Sequence, residues 1–133
     1  MLTGLNHITL AVADVDRAFE FYVNTLGLKP RARWAQGAYL SLDGLWLCLS
    51  LDKVVSSQDY THYAFTVSEN DFSQWHKTLS QAGVTFWKEN TSEGSSLYFL
   101  DPDGHKLELH SGDLNSRLLS LVQDPYDDLK LFD

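Results

Sequence analysis

A short motif near the start of the chain returns near its middle. Residues 7–12 read His-Ile-Thr-Leu-Ala-Val, and residues 62–67 read His-Tyr-Ala-Phe-Thr-Val. Gly27 follows the first histidine by 20 residues, and Gly83 follows the second by 21. Because an echo at nearly constant spacing is typical of one supersecondary unit used twice, the chain is predicted to contain two copies of the same unit.

Each copy is predicted to have the element order βαβββ. The predicted elements are strand 5–12, helix 15–26 and strands 31–36, 37–42 and 45–51 in the first copy, then strand 60–67, helix 71–82 and strands 84–88, 96–100 and 105–110 in the second. Asp14 and Asn70 are predicted to cap the two helices, which end at the two glycines. A polar linker at 52–59 separates the copies, and a last short helix is predicted at 114–122.

The whole chain, residues 1–133, is predicted to form one α+β domain. The first unit spans about 4–51, the second about 60–110, and the C-terminal helix and tail 113–133. One βαβββ unit has a curved sheet with an open side, so two units must pair to bury it. The repeat alone leaves open whether the two halves of one chain pair or whether halves are exchanged between two chains.

The composition excludes several classes of partner. The formal net charge of −8 argues against nucleic acid and anionic membrane surfaces, which need a basic surface on the protein. No apolar run approaches the ~18 residues of a membrane span. The single cysteine forbids an internal disulfide and favours a reducing compartment, so we expect a cytoplasmic protein.

Matched positions in the two copies carry residue types that bind metals. Aligning the copies on their last turn glycines sets Cys48 opposite Glu108, and the motif histidines His7 and His62 already match. Pairing of the units would bring two imidazoles and a carboxylate to one ion, a set that suits Mn(II), Fe(II), Zn(II) or Ni(II). Cys48 is interpreted either as a small buried hydrophobe or as a thiol near the metal.

The other three histidines are predicted to have no direct role as ligands. His76 lies on a predicted helix and is expected at the surface, and His105 follows a turn glycine and is expected to be exposed. His110 lies two residues past Glu108 and shares its strand face, so it is expected to be structural or to lie behind the metal ligands.

Residues 87–98 concentrate a cation, several hydroxyls and a glycine between two predicted strands. The candidate donors to one phosphate-like group are Lys88, Ser92, Ser96, Tyr98 and, on the last helix, Arg117. Backbone carbonyls of the same loop can also surround a hard cation, which takes oxygen ligands. The segment is therefore predicted to bind an anion, a cation or both.

Longer runs carry a family resemblance over essentially the whole chain. They are residues 5–12, 32–34, 37–40, 45–50, 59–65, 92–94 and 98–108. On these runs the chain resembles the FosA-type fosfomycin-resistance glutathione transferases of the vicinal oxygen chelate superfamily, which also contains glyoxalases and bleomycin-resistance proteins. The same runs distinguish this family from the glyoxalases and dioxygenases that share the βαβββ plan.

The resemblance implies an enzyme that opens the epoxide of fosfomycin by adding glutathione and so gives antibiotic resistance. It implies Mn(II) bound by His7, His62 and Glu108. It also implies a domain-swapped homodimer, in which His7 comes from one subunit and His62 with Glu108 from the other.

The resemblance also assigns binding residues around the metal. The substrate-binding set is Thr9, Trp46, Tyr60, Lys88, Ser92, Ser96, Tyr98 and Arg117. The set for an activating K⁺ is Asn90, Ser92, Glu93, Gly94 and Ser96. The set on the glutathione side is Trp34, Gln36, Tyr39 and Cys48. Two of these residues are expected to be catalytic: Thr9 hydrogen-bonds beside the oxirane, and Tyr39 lowers the pKa of the glutathione thiol.

Three other functions stay open on the residues alone. The same ligands suit an extradiol Fe(II) dioxygenase, although a catechol carries no phosphonate for the anion set to bind. A related epoxide-opening enzyme could use a different thiol. A metal-free, drug-sequestering module of the bleomycin-binding kind could use the same repeats, although it would not need the His, His and Glu set.

Overall fold

Two four-stranded sheets form the framework, one from each half of the chain. The computed structural model describes residues 1–132. Its elements are β1 (Ile8–Val12), α1 (Val15–Glu20), β2 (Lys29–Trp34), β3 (Gly37–Leu42), β4 (Leu45–Leu51), β5 (Tyr63–Thr66), α2 (Phe72–Gln81), β6 (Phe86–Lys88), β7 (Ser95–Leu100), β8 (Lys106–Ser111) and α3 (Leu114–Gln123). The strand orders are β1-β4-β3-β2 and β5-β8-β7-β6, which confirms the predicted α+β fold with two βαβββ units.

The two sheets have matching registers. In the first, β1 lies parallel to β4, with Thr9 opposite Cys48, and in the second β5 lies parallel to β8 in the same way. On the other side of the central strands, Tyr39 pairs with Cys48 and Tyr98 pairs with Glu108. The alignment predicted from the turn glycines is therefore confirmed, because Cys48 and Glu108 occupy equivalent places.

The first helix begins as predicted, but only its first half is an α-helix. The Asp14 side chain caps it by accepting a 3.1 Å hydrogen bond from the backbone N–H of Arg17. After α1, the chain continues as a π-helical turn at Phe21–Thr25, whereas the prediction was one α-helix over 15–26. The wider turn places Tyr22 in the core, fully buried, before Gly27 ends the segment at a φ of 86°.

Two local predictions are wrong. Asn70 lies inside a 3₁₀ turn at Glu69–Asp71, and Ser68 instead accepts the hydrogen bond from the backbone N–H of Asp71, at 3.3 Å. The second strand lies two residues earlier than predicted, at Lys29–Trp34, because residues 35–36 form the turn into β3. In both places, residues that the pattern assigned to a helix with its cap or to a strand form a tight turn instead.

The turn between β7 and β8 makes polar contacts with the first unit. His105 was predicted to be exposed, but it is half-buried and its Nε2 lies 2.7 Å from the backbone oxygen of Ala11. Because β1 is an edge strand, its outer backbone groups lack a partner strand, and this side chain satisfies one of them. Asp103 likewise accepts from the backbone N–H of Ala13, at 3.0 Å, and from Arg17, at 2.9 Å.

Both units contribute to one hydrophobic core. Its most buried members include Val12, Tyr22, Leu40, Leu79, Phe99 and Leu107. This shared core fixes the two units against each other within the chain. Among residues 1–132, no helix combines the length and the apolar character that crossing a membrane requires.

Candidate metal and anion site

Three neighbouring strands place candidate side chains in one row across the second sheet. Lys88 on β6 pairs with Tyr98 on β7, and Tyr98 pairs with Glu108 on β8. Side chains of directly opposed residues lie on the same face, so the cation, the phenol and the carboxylate are neighbours. Ser96 and His110 form the next pair on this face, because side chains alternate with a period of two along a strand.

His62 lies immediately before β5, and its imidazole contacts the carboxylate of Glu108. Its Nε2 is 3.0 Å from Oε1 of Glu108. Its Nδ1 is 2.7 Å from the backbone oxygen of Tyr60. Since a carbonyl can only accept, Nδ1 carries a proton, and metal-binding histidines commonly donate their second ring N–H in this way.

The His62–Glu108 pair fits a divalent cation. The 3.0 Å between Nε2 and Oε1 is a hydrogen-bond distance. Two neighbouring donors around an octahedral ion with bonds of ~2.1 Å are also ~3.0 Å apart, so the pair could bind such an ion with little movement. Glu108 is only 7% exposed, and a buried carboxylate needs a compensating positive charge. Nitrogen and carboxylate donors together suit Mn(II), Fe(II), Zn(II) and Ni(II).

The third predicted ligand, His7, lies apart from this pair. Within residues 1–132 of a single chain, no three His, Cys, Asp or Glu side chains converge on a metal-sized site. Nδ1 of His7 lies 2.7 Å from Oδ1 of Asn6. Both predicted histidine ligands thus have Nδ1 engaged in the same way, which leaves Nε2 as the ring atom available to a metal.

The face around His7 carries a series of exposed aromatic rings. The ring centroids of Trp34 and Tyr39 are 4.7 Å apart, those of Tyr39 and Trp46 5.3 Å, and those of Trp46 and His7 4.5 Å. The three larger side chains are each about two-fifths exposed. We call these four residues the aromatic face of the first unit. A contiguous exposed patch of this kind marks an interaction surface.

The remaining predicted residues of the first unit also lie away from Glu108. Thr9 is exposed and lines a separate cavity of about 220 Å³. Gln36 is exposed in the turn between β2 and β3. Cys48 is buried in β4, as the small-hydrophobe interpretation requires.

A cavity of about 490 Å³ opens beside the His62–Glu108 pair. The predicted residues that line it are Tyr60, His62, Lys88, Ser92, Glu93, Tyr98, Glu108 and Arg117. Two cations and several hydroxyls thus face the same space as the candidate metal ligands. Of the predicted residues in the second half of the chain, Asn90, Gly94 and Ser96 do not line this cavity, and the hydroxyl of Ser96 contacts Glu108 instead.

Lys88 is held over two phenol rings. Its ammonium contacts the Tyr60 hydroxyl and lies 4.6 Å from the centroid of the Tyr60 ring and 4.9 Å from that of Tyr98. The hydrogen bond with Tyr60 raises the pKa of Lys88, although partial desolvation opposes the change. Lys88 therefore stays a cation at neutral pH, directed at the cavity.

Arg117 joins α3 to the loop that follows β6. Its Nε lies 3.2 Å from Oε2 of Glu93, and one terminal nitrogen lies 3.4 Å from Oγ of Ser92. In the same loop, the side-chain amide of Asn90 donates to the backbone oxygens of Ser92, at 3.2 Å, and of Gly94, at 2.7 Å. Two carbonyls of the predicted K⁺ loop thus converge on one point.

Part of the cavity wall was not predicted from the sequence. Additional lining residues are Thr91, Ser120, Leu121, Asp124 and Tyr126. Ser120, Leu121 and Asp124 lie three, four and seven residues after Arg117, which is the spacing of one helix face. That spacing could have predicted these residues, because a helix that directs Arg117 at a bound anion directs the other residues of that helix face at the same cavity.

Sequence comparison finds relatives with transferase names. The chain is 54% identical over 131 residues to the glutathione transferase FosA of Serratia marcescens, covering 95% of this chain and 93% of the relative. It is 39% identical over 125 residues to the metallothiol transferase FosB of Staphylococcus epidermidis, covering 89% of this chain and 90% of the relative.

The fold also matches a solved structure. The fosfomycin resistance protein FosX of Listeria monocytogenes, in complex with Mn(II) and a sulfate ion, superposes with a TM-score of 0.83 at 29% identity, covering 90% of this chain and 98% of that chain. These matches confirm the resemblance to the Fos proteins that the sequence motifs indicated. The family model of the Glyoxalase/Bleomycin resistance protein/Dioxygenase superfamily matches residues 4–109, which cover both βαβββ units except the last two residues of β8. The chain belongs to this superfamily.

Proposed function

We propose that this protein is a metal-dependent glutathione transferase that opens the epoxide of fosfomycin and so confers resistance to it. The observation that carries the proposal is the position of the His62–Glu108 pair beside a cavity that Lys88 and Arg117 also face. A substrate that combines an epoxide with a phosphonate needs an electrophile at one end and cations at the other. The 54% identity to the Serratia marcescens glutathione transferase FosA supports the same reaction.

The proposed active unit is a domain-swapped homodimer. Within residues 1–132 of one chain, no third His, Cys, Asp or Glu side chain completes a metal-sized site with His62 and Glu108. The aromatic face of the first unit is exposed, and it carries His7 at its end. If the first unit of a partner covers the cavity of the second unit, then the partner's imidazole completes the ligand set and both exposed surfaces are buried.

The chain's own residues would bind and orient the phosphonate. Lys88 and Arg117 provide positive charge, and Tyr98, Tyr60 and Ser92 provide hydroxyl donors around the same cavity. Holding the phosphonate in one orientation places the epoxide carbon for in-line attack. The net charge of −8 repels anionic reactants at long range, but charges beyond ~8 Å are screened at physiological salt, so an anion in the cavity interacts mainly with the charges that line it.

His62 and Glu108, with His7 from the partner subunit, would hold Mn(II). When bound, Mn(II) supplies Lewis-acid stabilisation for the negative charge that develops on the epoxide oxygen. Thr9, which lies in the first unit like His7, would also come from the partner subunit and would donate a hydrogen bond beside the oxirane. We also propose that the loop carbonyls and side chains at residues 90–96 bind an activating K⁺, because two of those carbonyls already converge on the Asn90 amide.

The nucleophile is the sulfur of glutathione. Sulfur forms a bond to an epoxide carbon, the carbon–oxygen bond breaks, and the proton lost by the thiol ends on the new hydroxyl. A free thiol with a pKa of ~8.5 is only a few percent ionised at neutral pH, so a neighbouring group must favour the thiolate. We propose Tyr39 for this role, with Trp34, Gln36 and Trp46 around the bound thiol and substrate. We also propose a cytoplasmic enzyme, because its proposed co-substrate is glutathione and its single cysteine, Cys48, forms no internal disulfide.

A mass-spectrometric assay tests this function directly. The protein is loaded with Mn(II) and incubated with fosfomycin and equal concentrations of glutathione, cysteine and bacillithiol. A covalent glutathione adduct that forms faster than the other two is the expected product. An adduct with another thiol would move the protein to the related thiol-dependent class, and a diol from water addition would exclude thiol transfer. Stoichiometric binding without any product would instead indicate drug sequestration.

A further inference from the structure

We propose that His110 is a positioning residue that acts through Ser96 to fix the carboxylate of Glu108 toward His62. The inference rests on the proposed metal role of Glu108 and extends it to two side chains that do not line the cavity. Oε1 of Glu108 faces His62 at 3.0 Å, and Oε2 accepts a 2.7 Å hydrogen bond from Oγ of Ser96. Oγ of Ser96 lies 2.6 Å from Nδ1 of His110.

The direction of each hydrogen bond follows from proton counting. A serine hydroxyl has one proton, and an ionised carboxylate can only accept. If Ser96 donates its proton to Glu108, then its lone pairs must receive the proton of Nδ1–H from His110. The imidazole therefore directs the Ser96 hydroxyl at Glu108, since the donor from His110 occupies the alternative side of the oxygen. Nδ1 also lies 3.5 Å from Oε2 of Glu108 itself.

Two glycines leave space for the His110 ring. A Cβ atom on Gly94 would lie 2.8 Å from Cε1 of His110, and one on Gly112 would lie 2.9 Å from Nε2. Both distances are shorter than real contacts of a Cβ atom, so the ring occupies the space that side chains would otherwise need. Gly94 and Gly112 also have φ values of 79° and 137°, which favour glycine. Glycine at both positions therefore lets the ring lie where Nδ1 meets Ser96.

Each carboxylate oxygen of Glu108 therefore has its own partner, Oε1 with His62 and Oε2 with Ser96. Rotation of Glu108 would break the contact with His62 and the hydrogen bond from Ser96 together. Both bonds lie at a site where Ser96 and Glu108 are buried, so water does not easily replace them. Outer partners of this kind set the orientation of metal ligands, and their loss typically weakens metal binding by about 10–100-fold.

Two substitutions of similar size separate the hydrogen bond from simple packing. In His110→Asn, the side-chain nitrogen can occupy the place of Nδ1 and still donate to Ser96. In His110→Gln, the longer side chain carries its nitrogen near the place of Nε2 and loses that donor. A packing role would tolerate the two changes equally, whereas the positioning role distinguishes them.

The measurement is Mn(II) affinity of the purified full-length protein, followed by the electron paramagnetic resonance signal of free Mn(II), without fosfomycin or thiol. We expect His110→Gln to weaken binding by about 10–100-fold and His110→Asn to stay within about threefold of wild type. Ser96→Ala should weaken binding to a similar extent, and adding His110→Gln to it should cost little more, because both changes break one chain of hydrogen bonds.

Equal losses in the two His110 variants, or wild-type affinity in His110→Gln, would overturn the proposal. Circular dichroism and thermal melting of each variant identify any loss caused by unfolding. The test of His110 and the test of the transferase reaction can fail independently. If the variants show the expected ranking of Mn(II) affinities but wild type forms no fosfomycin adduct, then the positioning role stands and the transferase assignment fails.

Discussion

The hydroxyl of Tyr22 donates a 2.6 Å hydrogen bond to Oδ2 of Asp101, although the two residues are 79 positions apart. Both side chains are buried, and burial raises the pKa of each. Tyr22 lies in the π-helical turn of the first unit, and Asp101 begins the turn between β7 and β8 of the second. This pair therefore joins the two units of one chain at a point inaccessible to water.

Tyr22→Phe should destabilise the protein by about 1–3 kcal/mol, because it leaves Oδ2 of a buried carboxylate without its donor. The free energy of unfolding in urea measures the effect. Tyr39→Phe is the matched control, since the same change at an exposed ring should stay within ~0.5 kcal/mol. Equal stability of Tyr22→Phe and wild type would show that the hydrogen bond does not hold the units together.

Asp59 should make stability depend on acid pH. The hydroxyl of Ser57, followed by the N–H of Thr61, lowers the pKa of Asp59 from 3.8 to about 2. A carboxylate with a depressed folded-state pKa contributes stability above the unfolded value of 3.8, and that contribution is lost as the pH falls toward 2. Between pH 4 and pH 2, wild type should therefore lose more unfolding free energy than Asp59→Asn. Parallel curves for the two proteins over this range would contradict the prediction.

Glu108→Gln should weaken Mn(II) binding by at least the ~10–100-fold that loss of an outer partner typically costs, because a direct ligand is removed. Turnover of fosfomycin should disappear while the circular dichroism spectrum and the molecular mass in solution stay unchanged. Isothermal titration with Mn(II) checks the affinity. A variant that keeps full activity would remove Glu108 from the ligand set.

Lys88→Ala should raise the KM for fosfomycin about 10–100-fold, since a hydrogen bond to a charged group is worth about 1.5–3 kcal/mol. Lys88→Arg should recover part of the loss because it keeps the charge. Lys77→Ala, on the exposed side of α2, is the control and should leave KM unchanged. Steady-state kinetics at saturating glutathione give the comparison, and an unaltered KM in Lys88→Ala would exclude this side chain from phosphonate binding.

Mixing two inactive variants tests the exchanged dimer. In a mixed dimer of His7→Ala and Glu108→Gln, exchange places both changes in one site and leaves the other site with all three ligands. Random mixing makes about half of the dimers mixed, so about a quarter of wild-type activity should return after the two proteins are unfolded and refolded together. If each site were built within one chain, then every site would carry one change and no activity would return.

The repeated motif was sufficient to predict the two-unit fold and the equivalence of Cys48 with Glu108. Hydrophobic alternation, turn glycines and helix caps are local signals, and each acts within a few residues of the element it specifies. His105 could not be predicted in the same way. Its position depends on the edge of β1, which lies 94 residues away in sequence and becomes a neighbour only when the units pack.

The same limit applies to the candidate site. Residue types and their spacing identified His62 and Glu108 as candidate metal ligands. They also identified Lys88 and Arg117 as candidate anion-binding residues, because metal and anion binding require those functional groups. The strand face also predicted that His110 lies behind Glu108, but only the tertiary structure decided that Ser96 contacts Glu108 instead of the cavity and that His7 belongs to a separate surface of the chain. Side-chain identity is a local property, whereas the partner that each group meets depends on strand register and on how the two units pack.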